Sequence, residues 1–156
     1  TLSNPVSRES VLIQKVAALW VPLVALNLAV MAALFAGAAV FGEEIDPVAL
    51  AMVHVLGVPY LLVCAGIGIA LSVTFDRVGR AQVIALGAVF VLWVVDGVSE
   101  MNADYEWVGD LTPSRYYDPN EILVHGEYAF VDSSVLLAAF LALLLVAATV
   151  FSRRDI

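Results

Sequence analysis

Residues 47–75 read PVALAMVHVLGVPYLLVCAGIGIALSVTF. The stretch holds no Asp, Glu, Lys or Arg, and its polar side chains are His54, Tyr60, Cys64, Ser72 and Thr74. An α-helix rises about 1.5 Å per residue, so about 20 residues cross the roughly 30 Å hydrocarbon layer of a bilayer. A helix of a soluble bundle keeps a polar face, and this stretch has none. It reads as a transmembrane helix.

The same test applies outward along the chain. Val16–Gly42 and Ser133–Ser152 are equally free of charge. Ala81–Val95 is shorter between its charges, and it reaches full length through Gly97 and Val98 when Asp96 lies near an interface. Four spans are expected, over 14–41, 49–74, 79–98 and 132–151, and the fold class is an all-α polytopic transmembrane bundle. The apolar stretches recur throughout, so neither a signal peptide nor a targeting tail accounts for them. Pro22 and Pro59 remove backbone donors and kink their helices near the ends. Small residues such as Gly37, Gly66 and Gly68 provide close-packing faces.

Composition agrees. The 156 residues are 62% hydrophobic and 14% charged, whereas a soluble domain runs at about half and a quarter. That apolar content excludes an acidic disordered chain. Cys64 is alone, which excludes a disulfide scaffold. Seven Lys+Arg against fifteen Asp+Glu, with no basic stripe, argue against nucleic acid as a partner.

Weaving the chain four times sorts its charges. Arg8, Lys15, Arg77, Arg80, Arg153 and Arg154 fall on one side with three acids, Glu9, Asp76 and Asp155. The other side has Arg115 and twelve acids, in the 43–46 loop and between Asp96 and Asp132. Basic residues near span ends mark the cytoplasmic face, so both termini are expected inside. The acidic exterior reads as solvation in high salt, with cation attraction the alternative.

Between the last two spans, 99–131 is the one substantial outer segment. Its aromatics Tyr105, Trp107, Tyr116, Tyr117, Tyr128 and Phe130 suit the headgroup level. Thr112-Pro113-Ser114 starts a turn or short helix. Asp118-Pro119-Asn120-Glu121 repeats that grammar, with Asp118 as N-cap and Pro119 at the first helical position. A short helix over 119–125 follows, ended by Gly126. One or two interfacial or partly re-entrant helices are expected here. At the other end, 1–15 is a cytoplasmic lead-in. Ser7 caps a helix from Arg8, with Val11, Leu12 and Val16 apolar and Arg8, Glu9 and Lys15 polar. Residues 152–156 form a basic tail.

No chemistry-bearing motif emerges. His54 and His125 lack metal-ligand spacing, Cys64 is a packing thiol, and GIGIA lacks the Lys-Ser/Thr of a phosphate loop. No catalytic residue, metal or cofactor is assigned, and energy from ATP would need another subunit. Asp96 is the charge closest to a span, either a functional group at depth or a helix-end cap. Asn27 is placed to hydrogen-bond across helices.

Three segments carry a resemblance. SRESVLIQKVAAL (7–19) resembles the cytoplasmic stretch before the third helix of the six-helix permeases of ATP-binding cassette exporters. LTPSRYYDPNEILVHGEYAFVDSSVLLAAFLALLLVAATVF (111–151) resembles their last outer segment and final helix. FSRRDI (151–156) resembles their short basic ending, and the wording is nearest to versions from salt-loving archaea. The resemblance implies a C-terminal portion of such a permease, its spans being the third to sixth, and Thr1 in place of Met agrees with a fragment. It implies a cytoplasmic ATPase subunit and a second permease copy as partners, besides the lipid bilayer. Arg8, Glu9 and Lys15, with the turn bearing Asp76, Arg77 and Arg80, are the implied ATPase contacts. Asn27, Gly37, Gly66, Gly68 and Asp96 are the pathway or packing candidates, and Tyr116, Tyr117, Asp118 and Pro119 the outer-loop ones. A non-transporting scaffold is the alternative. An ion-driven transporter or a membrane enzyme fits less well, because deep ionisable residues and paired carboxylates are lacking.

Overall fold

The computed structural model describes residues 8–153, and within α1 and at the C-terminal end the side chains of Arg8, Glu9, Val11, Leu12, Lys15, Val16, Leu19 and Arg153 lie outside that description. Five α-helices order the chain: α1 (Arg8–Phe41), α2 (Pro47–Thr74), α3 (Val78–Ser99), the single turn α4 (Glu106–Gly109) and α5 (Phe130–Arg153). Between Ala103 and His125 lie two 3₁₀ turns, Ala103–Tyr105 and Pro113–Tyr116, and a π-helical turn, Glu121–His125. No strand occurs among the described residues. Four helices are long and apolar enough to cross a membrane, and the chain is a multi-pass membrane protein.

Their ends are set by local chemistry. Gly42 takes a left-handed φ of 74°, and the Glu43 N–H donates back to the Ala38 carbonyl at 3.0 Å, which closes α1. Four residues later Asp46 starts α2: its Oδ1 accepts from the Val48 N–H at 2.8 Å, and Pro47 occupies the first turn. This is the same Asp-Pro opening as at 118–119, used here to turn the chain between two spans. The cytoplasmic lead-in expected over 1–15 and the first span form one uninterrupted 34-residue helix from Arg8 onward. Ser7 and the tail beyond Arg153 fall outside the described residues. Pro59 sits deep inside α2, well away from the helix end where it was expected.

Helix α2 is the hub. Its outer end packs Val53 and Leu56 around Ile122 of the outer segment. Its middle packs Leu62 and Val63 against Leu136 and Phe140 of α5. Its inner end packs Ile69 and Val73 against Ala147. Lipid supplies no hydrophobic force between helices, so close van der Waals fit decides the pairing. Gly66 provides it: a Cβ there would stand 3.1 Å from both Leu143 Cδ1 and Phe140 Cδ2. Gly37 and Gly68 have nothing within 4 Å of that position, so they face away from the bundle's own contacts.

Helix α1 stands apart. None of its apolar window Trp20–Phe41 is buried inside the chain. Leu23 touches the central cluster, and Asn27 Nδ2 donates to the His54 carbonyl at 3.2 Å. This is the cross-helix bond its position in the first span suggests.

Candidate functional site

The outer segment folds back on the bundle as a cap. Asn102 opens it, accepting from the Asp104 N–H at 3.0 Å. The turn α4 then lies against the outer end of α3, where Gly109 permits an intimate contact: a Cβ there would come 2.5 Å from Ser99 Oγ and 3.1 Å from Asp96 Oδ1. Thr112, 1% exposed, donates its hydroxyl to the Gly109 carbonyl at 2.8 Å. The turn Pro113–Tyr116 follows and touches α2, α3 and α5 together, plugging the outer end of the bundle.

Tyr117 fastens this cap. Its hydroxyl donates to the Val53 carbonyl at 3.0 Å, next to the His54 carbonyl that takes Asn27. Two side chains thus serve consecutive α2 carbonyls, about one and a half turns before Pro59. The Tyr117 ring stacks on Tyr60 with centroids 5.6 Å apart. Only a glycine at position 57 admits it, since a Cβ would lie 2.8 Å from the Tyr117 hydroxyl. Burial holds the Tyr117 phenol above its ordinary range, because the phenolate would lose its water. Tyr116 donates to the Asp110 carbonyl at 2.8 Å. The aromatics of this segment were expected together at the headgroup level. They divide instead: Tyr116 and Tyr117 turn into the protein, while Tyr105, Trp107, Tyr128 and Phe130 remain exposed.

The expected short helix after Asp118 is present, with its predicted ends. Asp118 Oδ1 accepts from the Asn120 and Glu121 N–H groups at 2.8 and 3.3 Å. Pro119 is the first helical residue, and Gly126 ends the turn with φ 67°. The helix widens to π geometry from Glu121, and Ile122 is buried against Val53 and Leu56.

Arg115, the single outer cation of the sequence reading, gathers three acids. Its guanidinium lies 2.6 Å from Glu106, 3.3 Å from Glu100 and 3.7 Å from Asp110. The Glu106 hydrogen bond is the first cause that raises its affinity for the proton. The acids are more than half exposed, so each pair alone is worth little, below about 1 kcal/mol. Their use is geometric, since Arg115 ties the end of α3, α4 and the plug to one point.

Beside this knot a cavity of about 440 Å³ opens between α2, α3 and the cap. Trp93, Asp96 and Glu100 line it from one face of α3, and Tyr60 lines it from α2. Ser114, Arg115, Tyr117, Asp118 and Pro119 close it from the cap. Asp96 is 8% exposed, and its Oδ1 has no hydrogen-bond partner; Ser114 Oγ is buried and unpartnered as well. Sequence reasoning named Asp96, Tyr117, Asp118 and Pro119 separately and missed Tyr60, Trp93 and Ser114. The spacing Trp93, Asp96, Glu100 on one helical face was the available signal.

Other assigned residues lie elsewhere. His54 Nδ1 is 2.8 Å from the Leu50 carbonyl, one turn back in its own helix. His125 is exposed on the cap, and no metal-competent group of three His, Cys, Asp or Glu occurs among the described residues. Asp76 and Arg77 form the short α2–α3 connection, with Arg80 in the first turn of α3. The side chains of Arg8, Glu9 and Lys15 are outside the described residues. No family model, curated protein or solved structure matches the chain.

Proposed function

We propose that the chain is a membrane-spanning permease subunit of an ATP-powered exporter, of the kind its terminal segments resemble in salt-loving archaea. The observation that carries this reading is α1. It is a membrane-length helix with none of its apolar window buried in its own chain, and it continues unbroken from Arg8 on the basic side. A helix so exposed has room for a second permease copy along its length. Its unbroken start gives a cytoplasmic ATPase a rigid lever into the bundle. Arg8, Glu9 and Lys15, with the Asp76–Arg80 turn, are the ATPase contacts. The cargo path runs between permease copies, near Asn27 and the open glycines Gly37 and Gly68. The chain supplies the pathway and two conformations of different cargo affinity, and it does no covalent chemistry itself.

The test is co-purification of the chain from its own cells with a cytoplasmic ATP-binding cassette ATPase subunit. The wild-type chain retains that subunit through detergent extraction, and charge reversal at Arg8 and Lys15 together releases it. Retention by the double variant counts against this contact. Failure of any ATPase to co-purify favours the scaffold reading.

A further inference from the structure

The outer cavity joins a buried, unpaired carboxylate to aromatic walls. Asp96 lines the cavity and is 8% exposed; its Oδ1, packed under Gly109, has no hydrogen-bond partner, and a buried carboxylate without a partner is strongly unfavourable. Ser114 adds a hydroxyl to the lining of the same cavity. Asp118 and Glu100 raise its carboxylates to three, against one guanidinium. That guanidinium is already occupied by Glu100, Glu106 and Asp110. The electrostatic demand of the cavity is for a cation.

The walls say which kind. Tyr60, Trp93 and Tyr117 contribute three aromatic rings to the lining, and a ring face attracts an organic cation within about 6 Å of its centroid. A calcium ion wants about six to eight oxygens in its shell, and no group of three ligating side chains is within reach of one another among the described residues. The volume of about 440 Å³ falls within the range of small-molecule sites. We propose that this cavity binds a small organic cation of the alkylammonium class, with Asp96 as its counter-ion and Tyr60, Trp93 and Tyr117 as its walls. The site lies on the acidic face of the protein, for which cation attraction is the alternative to solvation in high salt.

The probe is tetramethylammonium chloride, titrated calorimetrically into the detergent-purified full chain, with sodium chloride at matched ionic strength as the control. Saturable heat with tetramethylammonium alone is expected. Asp96→Asn keeps the side chain's shape and removes its charge, and loss of the Coulombic attraction weakens binding about tenfold or more. Its thermal midpoint is unchanged or raised, because an unpaired charge leaves the interior. Trp93→Leu removes one wall and weakens binding about two- to fivefold; should Asp96→Asn not fold, this variant carries the test. Absence of saturable heat, equal heat from sodium, or wild-type affinity in either folded variant overturns the proposal. The titration needs no ATPase, so its failure leaves the permease reading intact, and loss of the permease reading leaves this site intact.

Discussion

Replacing Gly109 by Ala is expected to pry the cap from α3, and the distances set the size of the effect. Gly109 has no positive φ, so alanine suits the backbone and the whole cost is contact. The new Cβ would lie 2.5 Å from Ser99 Oγ, 3.1 Å from Asp96 Oδ1 and 3.6 Å from Ser99 Cβ. Ser99 Oγ donates to the Asp96 carbonyl at 2.7 Å, so it relieves the clash only by giving up that bond. The bond is worth about 1 kcal/mol, and overpacking adds about 1–3 kcal/mol. A loss of about 2–4 kcal/mol follows, which lowers the melting midpoint by about 4–16 °C in a chain of this size. Ser99→Ala alone removes a bond from a helix to its own backbone and costs less than about 1 kcal/mol. In the double variant the nearest Ser99 atom is Cβ, at ordinary contact distance, and only the 3.1 Å approach to Asp96 Oδ1 remains to be relieved. Gly109→Ala and Ser99→Ala together should therefore melt within about 1 kcal/mol of Ser99→Ala, a coupling of about 1–3 kcal/mol. Cys64, the only cysteine and half-buried, reports unfolding by its reaction with a thiol dye on heating. Additive midpoints, or a Gly109→Ala variant as stable as wild type, refute the packing assigned here to α3 and α4.

Four further outcomes follow from the same geometry. Tyr117→Phe loses the bond to the Val53 carbonyl and should cost about 1 kcal/mol at neutral pH by the same melt. The raised Tyr117 pKa also makes stability pH-dependent: its contribution is whole below the ordinary tyrosine pKa of about 10 and is lost as pH rises through the folded value. An alkaline melting series should show that loss in wild type and less of it in Tyr117→Phe. Asn27→Leu removes the bond to the His54 carbonyl and should loosen α1 by about 0.6–2 kcal/mol, seen as faster proteolysis or hydrogen exchange in α1 alone. Asp46→Ala deletes the α2 cap for about 1 kcal/mol. Arg115→Gln leaves Glu100, Glu106 and Asp110 without their shared cation, and the penalty should be largest in low salt and fade as salt screens the acids.

Much of the architecture was legible because it rests on local physics. A charge-free run of membrane length has few alternatives to a spanning helix, and the four runs are the four long helices. The cap chemistry at Asp118 and Gly126 acts over a few residues, so the turn they bound was readable. Its π geometry was not, because Ile122 is drawn onto an α2 patch some seventy residues earlier in the chain. Pro59 was expected near a helix end because proline is tolerated best in a helix's first turn, whereas α2 carries it deep inside.

By itself the sequence determined that the chain has four membrane-spanning helices, and where the short helix before the last of them starts and stops. Each of these follows from solvation or capping, which act on a residue and its near neighbours. Only the tertiary structure decided that Tyr117 turns inward while Trp107 stays outside, because the choice belongs to Gly57 on another helix. Only the tertiary structure buried Asp96, because Gly109 lets the cap close over it. The reason is steric: close approach depends on which backbone lies opposite, and the sequence alone does not set that pairing.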